Sequence, residues 1–355
     1  MHPRFALLST AALAAALLPA PAAQAQPQPE GQSQSRVQGQ TQQQAQKQAQ
    51  KQVQAPRPKA AQHAAADTAS ERRQVTTYWT ELRMEAAQPL DVPDPKARMT
   101  AEEPEQGPAW IAPPTRGQGG GVNVQAARSA GEAWTRGGAV ARTTGRIFFT
   151  TQGRNASCSG TAVTSANKSV VLTAGHCVKM NGAFHTNWVF VPGYANGNRP
   201  LGTWAATRLL TTPQWDSGED INFDVAAAVV APLEGKTLVD TVGGQGVAFN
   251  QQRRQQMYAF GYPAAAPYDG SKLVHCSGRV FDDFLSSEDL GLTCNMTGGS
   301  SGGPWMLNFN ESTGLGTQNS VNSFKYNFAP NWMFGPYFGN EAQAVYQAAQ
   351  STNAL

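Results

Sequence analysis

Charge and cysteine are both scarce in this sequence: Asp, Glu, Lys and Arg make up 14% of its 355 residues, and there are 4 Cys. A formal net charge of +3 is too small for the basic patch or stripe that nucleic-acid binding needs, so no nucleic-acid partner is expected. No apolar run after the N-terminus approaches the roughly 20 residues that span a bilayer, which excludes a helical membrane span. Cys-x-x-Cys and His-Glu-x-x-His spacings are missing, so neither a metal nor a cofactor is implied. No repeat period is evident, which argues against a propeller or a solenoid.

What is present starts with an export signal over residues 1–25. Arg4 supplies the positive region, Phe5 to Leu18 the apolar stretch and Ala23-Gln24-Ala25 a small-residue cleavage site, with Pro19 and Pro21 ending the run. The chain is therefore expected to be secreted and extracellular, where disulfides persist. Four cysteines allow three pairings.

Residues 26–66 are Gln, Ala and Pro with scattered Lys and Arg. They have almost nothing large and apolar to bury, and read as a disordered spacer or tether. Residues 67–121 read as a pro-segment and linker, with Tyr78, Trp79, Leu82 and Met84 at helical spacing and Pro and Gly concentrated from Glu102 to Gly121. Residues 122–355 carry 15 Lys and Arg against 14 Asp and Glu and form the folded part.

That part is dense in short β-branched and aromatic runs separated by Gly, Asn and Pro, the pattern of an all-β domain. Strands are expected over Arg146–Thr151, Ser159–Val163, Ser169–Thr173, Trp188–Val191, Thr203–Leu210, Val225–Val230, Gln256–Phe260, Lys272–Cys276 and Ser320–Lys325. One short helix is expected at the C-terminus, Asn340 to Gln350, capped by Asn340 and facing a core with Val345, Tyr346 and Ala349.

Two glycine-rich segments stand out, Thr173-Ala174-Gly175-His176-Cys177 and Gly298-Gly299-Ser300-Ser301-Gly302-Gly303-Pro304. Glycines on both sides of a serine let the backbone turn sharply, expose a hydroxyl and aim N–H groups at a developing oxyanion. The serine segment also fits Gly-x-Ser-x-Gly, the nucleophile elbow of α/β-hydrolases, but that fold needs its histidine after the serine. All five histidines, His2, His63, His176, His185 and His275, precede Ser301. The order Asp, His, Ser is no better, because the only aspartates before His176 are Asp67, Asp91 and Asp94 in the leader. What remains is His, then Asp, then Ser.

In that order the sequence resembles the trypsin/chymotrypsin-like serine peptidases, particularly secreted bacterial members of the glutamyl endopeptidase-like branch. Thr173-Ala174-Gly175-His176-Cys177 resembles the histidine motif, Asp224-Val225-Ala226 the aspartate motif and Gly299-Ser300-Ser301-Gly302-Gly303-Pro304 the serine motif. The resemblance implies two six-stranded antiparallel β-barrels and a monomeric enzyme acting on a protein or peptide substrate. It makes His176 the general base, Asp224 its orienting partner, Ser301 the nucleophile, and the N–H groups of Gly299 and Ser301 the oxyanion hole. Asp216 and Asp220 are rivals to Asp224, which is preferred because it alone leads straight into an apolar run, Val225 to Val230. His185 and His275 are read as structural.

The same resemblance pairs Cys158 with Cys177, which leaves Cys276 with Cys294. It places the primary substrate pocket between Asn295-Met296-Thr297-Gly298 and Asn319-Ser320-Val321-Asn322-Ser323, lined by Asn295, Thr297, Ser320 and Asn322. Those segments hold neither an acidic residue nor a histidine, so a polar, uncharged pocket is expected and a glutamyl preference is not. Ser300 stands where many animal members carry an aspartate that pairs with a new N-terminus, so that activation switch is not expected. The rival readings are a catalytically silent barrel that binds peptides or cell-wall components, and an esterase using the same residues.

Overall fold

The computed structural model describes residues 60–90, 102–115 and 128–355. The export signal, the spacer up to residue 59 and residues 91–101 and 116–121 of the expected pro-segment and linker lie outside the described residues. The first half of the folded part has six barrel strands: β1 Thr144–Thr151, β2 Arg154–Val163, β3 Val170–Thr173, β4 Thr186–Pro192, β5 Trp204–Thr211 and β6 Ala226–Val230. They pair in the order β5-β4-β1-β2-β3-β6, and β6 returns to β5, which closes the barrel. Closure removes the unpaired edges that an open sheet would present.

Local sequence explains the turns. β1 and β2 are joined by Gln152-Gly153, both at positive φ (48° and 75°), the two-residue hairpin whose twist matches that of the strands. β6 reads Ala-Ala-Ala-Val-Val and every residue is buried, as a continuous apolar run bounded by turns requires. Its small side chains leave room for the C-terminal helix, Asn340–Ser351, which lies against it. Val345, Tyr346 and Ala349 are buried there as expected, and the Tyr346 hydroxyl donates to the Thr164 carbonyl at 2.6 Å. Asn340 does not cap the helix: Gly339 occupies the cap position, and the Asn340 side chain instead accepts from Asn250 at 3.1 Å.

The second half contains β7 Gly246–Phe249, β8 Gln256–Gly261, β9 Val274–Arg279, β10 Leu290–Thr293, β11 Pro304–Asn310, β12 Leu315–Val321 and β13 Trp332–Gly335. Five of these run β7-β12-β11-β8-β9 in one sheet, while β10 pairs with β13 and with Phe281–Asp282 in another. The β7–β12 pair is parallel, so this half is less regular than a closed antiparallel barrel. The expected strand Ser320–Lys325 begins earlier and ends at Val321. Its successors Asn322 and Ser323 leave the sheet because their side chains bond elsewhere.

Parts of the leader belong to this fold. Ala61–Ala64, inside the stretch read as spacer, pairs antiparallel with Thr211 to Arg208, along the part of the β5 edge that β4 leaves uncovered. A helix over Ala69–Tyr78 follows, started by a capping box between Thr68 and Glu71. The helical pattern then breaks at Trp79 and resumes over Glu81–Glu85, so the four spaced residues do not share one face. Trp79 and Met84 are each 1% exposed, and Leu82 is 76% exposed. Trp110–Ala112 adds a strand to β7, and Ser129–Ala133 adds one to β9.

Phe249 ties three of these pieces together. It is wholly buried, with Phe338, Tyr346 and Trp110 at ring-centroid distances of 5.6, 5.6 and 5.9 Å. Phe249→Ala is expected to cost about 3–5 kcal/mol of unfolding free energy. Urea unfolding followed by tryptophan fluorescence measures it.

Candidate active site

The strand β3 delivers the histidine. It ends at Thr173, and one tight turn, Gly175–Cys177, swings His176 inward. Gly175 is required there, since a Cβ would stand 2.6 Å from the Trp215 ring. The disulfide Cys158–Cys177 fastens this turn to β2, and the second disulfide is Cys276–Cys294. Closing a loop of 19 residues is worth about 3 kcal/mol in the chain-entropy account. Cys158, His176 and Cys177 lie close enough together to suggest a metal site, but both sulfurs are spent in the disulfide.

Asp224 enters from the other side, after a short turn Ile221–Phe223 that is capped by Asp220. Its Oδ1 accepts the His176 backbone N–H at 2.8 Å, and its Oδ2 lies 2.7 Å from His176 Nδ1. The Ser323 hydroxyl donates to the same Oδ2. With a carboxylate at Nδ1, the neutral imidazole keeps its proton on that nitrogen and leaves Nε2 as a base. Asp216 instead pairs with Lys179 at 2.6 Å, so Asp224 is the one of the three candidate aspartates that meets the histidine. Both His176 and Asp224 are wholly buried.

The serine loop reaches this pair through close backbone contacts. Gly302, at φ +77°, sits where a Cβ would come within 2.0 Å of Thr173 Oγ1 and 2.8 Å of the Ala174 nitrogen, so the loop abuts the start of the histidine turn. Ser159 of β2 holds it twice, donating its N–H to the Ser301 carbonyl at 2.7 Å and its hydroxyl to the Gly299 carbonyl at 2.9 Å. Ser300, in place of an ion-pairing aspartate, turns its hydroxyl back onto the Thr297 carbonyl at 2.7 Å. The loop therefore keeps its shape without a charged partner.

Four polar groups remain uncommitted at the centre. Among the described residues, Ser301 Oγ and His176 Nε2 are buried without a hydrogen-bond partner. Among the described residues, the Gly299 and Ser301 N–H groups also have no acceptor. A ring nitrogen, a hydroxyl and two N–H donors without partners are the kinds of group that acyl transfer uses.

The four expected pocket residues are held by the fold. Asn322 is wholly buried, donates to the Ser300 and Phe260 carbonyls at 2.9 Å each and accepts from Trp305 Nε1 at 2.8 Å. Ser320 donates to the Pro336 carbonyl at 2.9 Å. Thr297 donates to the Ala265 carbonyl at 2.6 Å, and Asn295 accepts from the Tyr268 hydroxyl at 2.5 Å. A charge also stands beside these walls: the Lys325 ammonium donates to the Cys294 carbonyl at 2.8 Å and the Pro330 carbonyl at 2.6 Å, and burial pushes its pKa down to about 8.

Sequence reasoning missed two residues, Ser159 and Asp289. Asp289 is wholly buried with no partner for either carboxyl oxygen, and burial followed by the neighbouring Asp224 charge pushes its pKa well above the carboxylate range. No motif marks either of them. His185, read as structural, stacks on Phe149 at 4.3 Å and donates from Nε2 to the His176 carbonyl at 2.9 Å. His275 likewise bonds the Glu132 carbonyl, through Nδ1 at 3.0 Å.

Two outcomes follow from this packing. Asn322→Ala removes the acceptor of the buried Trp305 indole N–H and one donor each from the Ser300 and Phe260 carbonyls, and is expected to cost about 2–3 kcal/mol of stability, read as a lowered urea midpoint. Burial holds the His185 pKa at about 4 in the folded state, against about 6.5 in the unfolded chain. Between those values the unfolded chain binds the extra proton, so stability should fall as pH drops from 6.5 toward 4, by up to about 3 kcal/mol. Comparing urea unfolding of the parent and His185→Phe at pH 7 and pH 5 isolates that part.

Known structures carry the same architecture. The chain is 46% identical to the protease Anisep from Arthrobacter nicotinovorans, covering 59% of this chain and 96% of that one at a TM-score of 0.57. It is 45% identical to the thermostable serine protease AL20 from an extremophilic microorganism, covering 61% of this chain and all of that one at a TM-score of 0.58. No protein-family model and no curated protein sequence matches. With nearly half the residues shared along nearly the whole length of two solved proteases, this chain belongs to the trypsin/chymotrypsin-like serine peptidases.

Proposed function

We propose that this protein is a secreted serine endopeptidase that cleaves peptide bonds through an acyl-enzyme. The observation carrying this reading is the hydrogen-bonded line from Ser323 through Asp224 to His176 Nδ1, which leaves Nε2 open beside the loop that holds Ser301. Export of the chain, residues 122–355 as the peptidase domain and a pro-segment role for the preceding residues belong to the same reading.

In this mechanism Ser301 Oγ attacks the substrate carbonyl while His176 Nε2 takes its proton. The carbonyl oxygen becomes an oxyanion received by the Gly299 and Ser301 N–H groups, each such donor being worth about 3–4 kcal/mol in comparable enzymes. Asp224 stabilises the imidazolium without taking its proton. His176 then protonates the leaving amine, the C–N bond breaks and an ester to Ser301 remains. Water, deprotonated by His176, attacks that ester and releases the acid and free Ser301. Asn295, Thr297, Ser320 and Asn322 shape the walls of the substrate pocket in this reading.

A fluorophosphonate probe tests the nucleophile directly. Mass spectrometry of the labelled, folded protein should place the adduct on Ser301, and His176→Ala should suppress it. Labelling elsewhere, or none in a folded and processed sample, would favour the peptide-binding barrel. Ser301→Ala should abolish peptide hydrolysis while leaving the thermal unfolding profile nearly unchanged. Asp224→Asn should lower kcat by about 10⁴, the loss known for this substitution in the serine-protease template.

A further inference from the structure

The second edge of β2 is shared by two very different neighbours. β2 pairs with β1 from Arg154 to Thr161, but with β3 only from Thr161 to Val163. The edge before Thr161 is therefore open to another strand. Ser159 uses it to hold the nucleophile loop, through the bond from its N–H to the Ser301 carbonyl. Two residues earlier the leader takes it: Gln88 and Pro89 pair in parallel with Ala156 and Ser157, and the Leu90 N–H donates to the Ser157 carbonyl at 3.1 Å.

Leu90 and Ser301 thus lie side by side along one strand edge, about 7 Å apart by the rise of two extended residues. Leu90 also closes on the loop itself, since a Cβ on Gly298 would come within 3.0 Å of the Leu90 carbonyl oxygen and 3.5 Å of the Pro89 Cβ. The tripeptide is firmly anchored upstream. Trp79 is buried against Phe148, with its indole N–H 2.5 Å from the Asn187 carbonyl, and the Tyr78 hydroxyl donates to Asn155 at 2.8 Å. Ser301 is 1% exposed and His176 not at all.

We infer that Gln88–Leu90 is an autoinhibitory strand: it occupies the β2 edge on which an extended polypeptide must lie to bring a peptide bond to Ser301. A chain bound at Ser301 and running toward Ser157 meets Pro89 and Leu90 within two residues. Strand addition to a free edge is a general way of gripping a peptide through its backbone, and here the leader has made that addition first. A small acylating probe spans less than two residues and needs none of this edge. The inhibition is therefore selective for polypeptides, and it rests on the endopeptidase reading.

The test uses the full chain and compares two readouts on each sample, hydrolysis of a denatured polypeptide and the rate of fluorophosphonate labelling of Ser301. Leu90→Pro removes the N–H that reaches Ser157 and leaves the Trp79 anchor in place. It should raise polypeptide hydrolysis about tenfold while changing the labelling rate less than twofold. Trp79→Ala, which loosens the anchor, should shift the ratio in the same direction and serves if the proline variant does not fold. Unchanged polypeptide hydrolysis, or an equal rise in both readouts, would overturn the inference. Failure of the endopeptidase reading is distinct from either, because a silent barrel would take no label in any form and an esterase would take it while no form hydrolysed polypeptide.

Discussion

Everything at the site depends on how the Asp224 carboxylate is kept inside the protein. A buried carboxylate is tolerated only when donors replace the water it has lost. Asp224 receives three: the backbone N–H of His176, the imidazole Nδ1 and the Ser323 hydroxyl. Two come from His176 in the turn after β3 and one from Ser323 in the segment after β12, both converging on the start of β6. The closed barrel fixes the first of these relations, because β3 and β6 are hydrogen-bonded neighbours from Thr173↔Ala226 onward. The second requires the chain to leave β12 at Val321, which explains why the strand ends before the Phe324-Lys325 stretch that its composition favours.

Ser323 also sits next to Asn322, and the pair divides the labour. Asn322 holds the nucleophile loop through Ser300 and shares backbone bonds with Gly302 and Gly303 at 2.7 and 2.8 Å, while Ser323 holds the aspartate. One turn of chain therefore sets the Ser301 loop relative to Asp224 and the histidine it meets. Ser159 does the corresponding work from the first half, so the loop is clamped between β2 and the residues after β12. The positive φ of Gly299 (+91°) and Gly302 (+77°) is the backbone cost of that clamp. Side chains at either position would strike Ala264 or Thr173.

Much of this was legible in the sequence, and the boundary of legibility has a physical cause. The strands of the first barrel are runs of apolar residues that bury both faces, so β1, β3, β5 and β6 fall where periodicity puts them. β12 was misplaced because its interior, Thr317-Gln318-Asn319-Ser320, is polar yet buried, and its hydrogen bonds are tertiary. β11 opens with Pro304, which reads as a breaker until the pairing of the strand is known. His176, Asp224 and Ser301 were picked out by their motifs and chain order, and the structure brings Asp224 against His176. Ser159 carries no such mark, because its role exists only when β2 and the serine loop meet. The leader was read from composition, and composition says nothing about Ala61–Ala64 finding the uncovered part of β5, where the pairing is made by backbone bonds.

Asp289 shows the converse of Asp224. Both are completely buried, and they are close enough for the charge on one to raise the pKa of the other. Asp224 has three donors, whereas among the described residues neither oxygen of Asp289 has one, so its low-dielectric surroundings favour the neutral carboxyl there. Withholding donors from Asp289 therefore keeps a second negative charge from standing near Asp224, the one of the two carboxyl groups that meets His176.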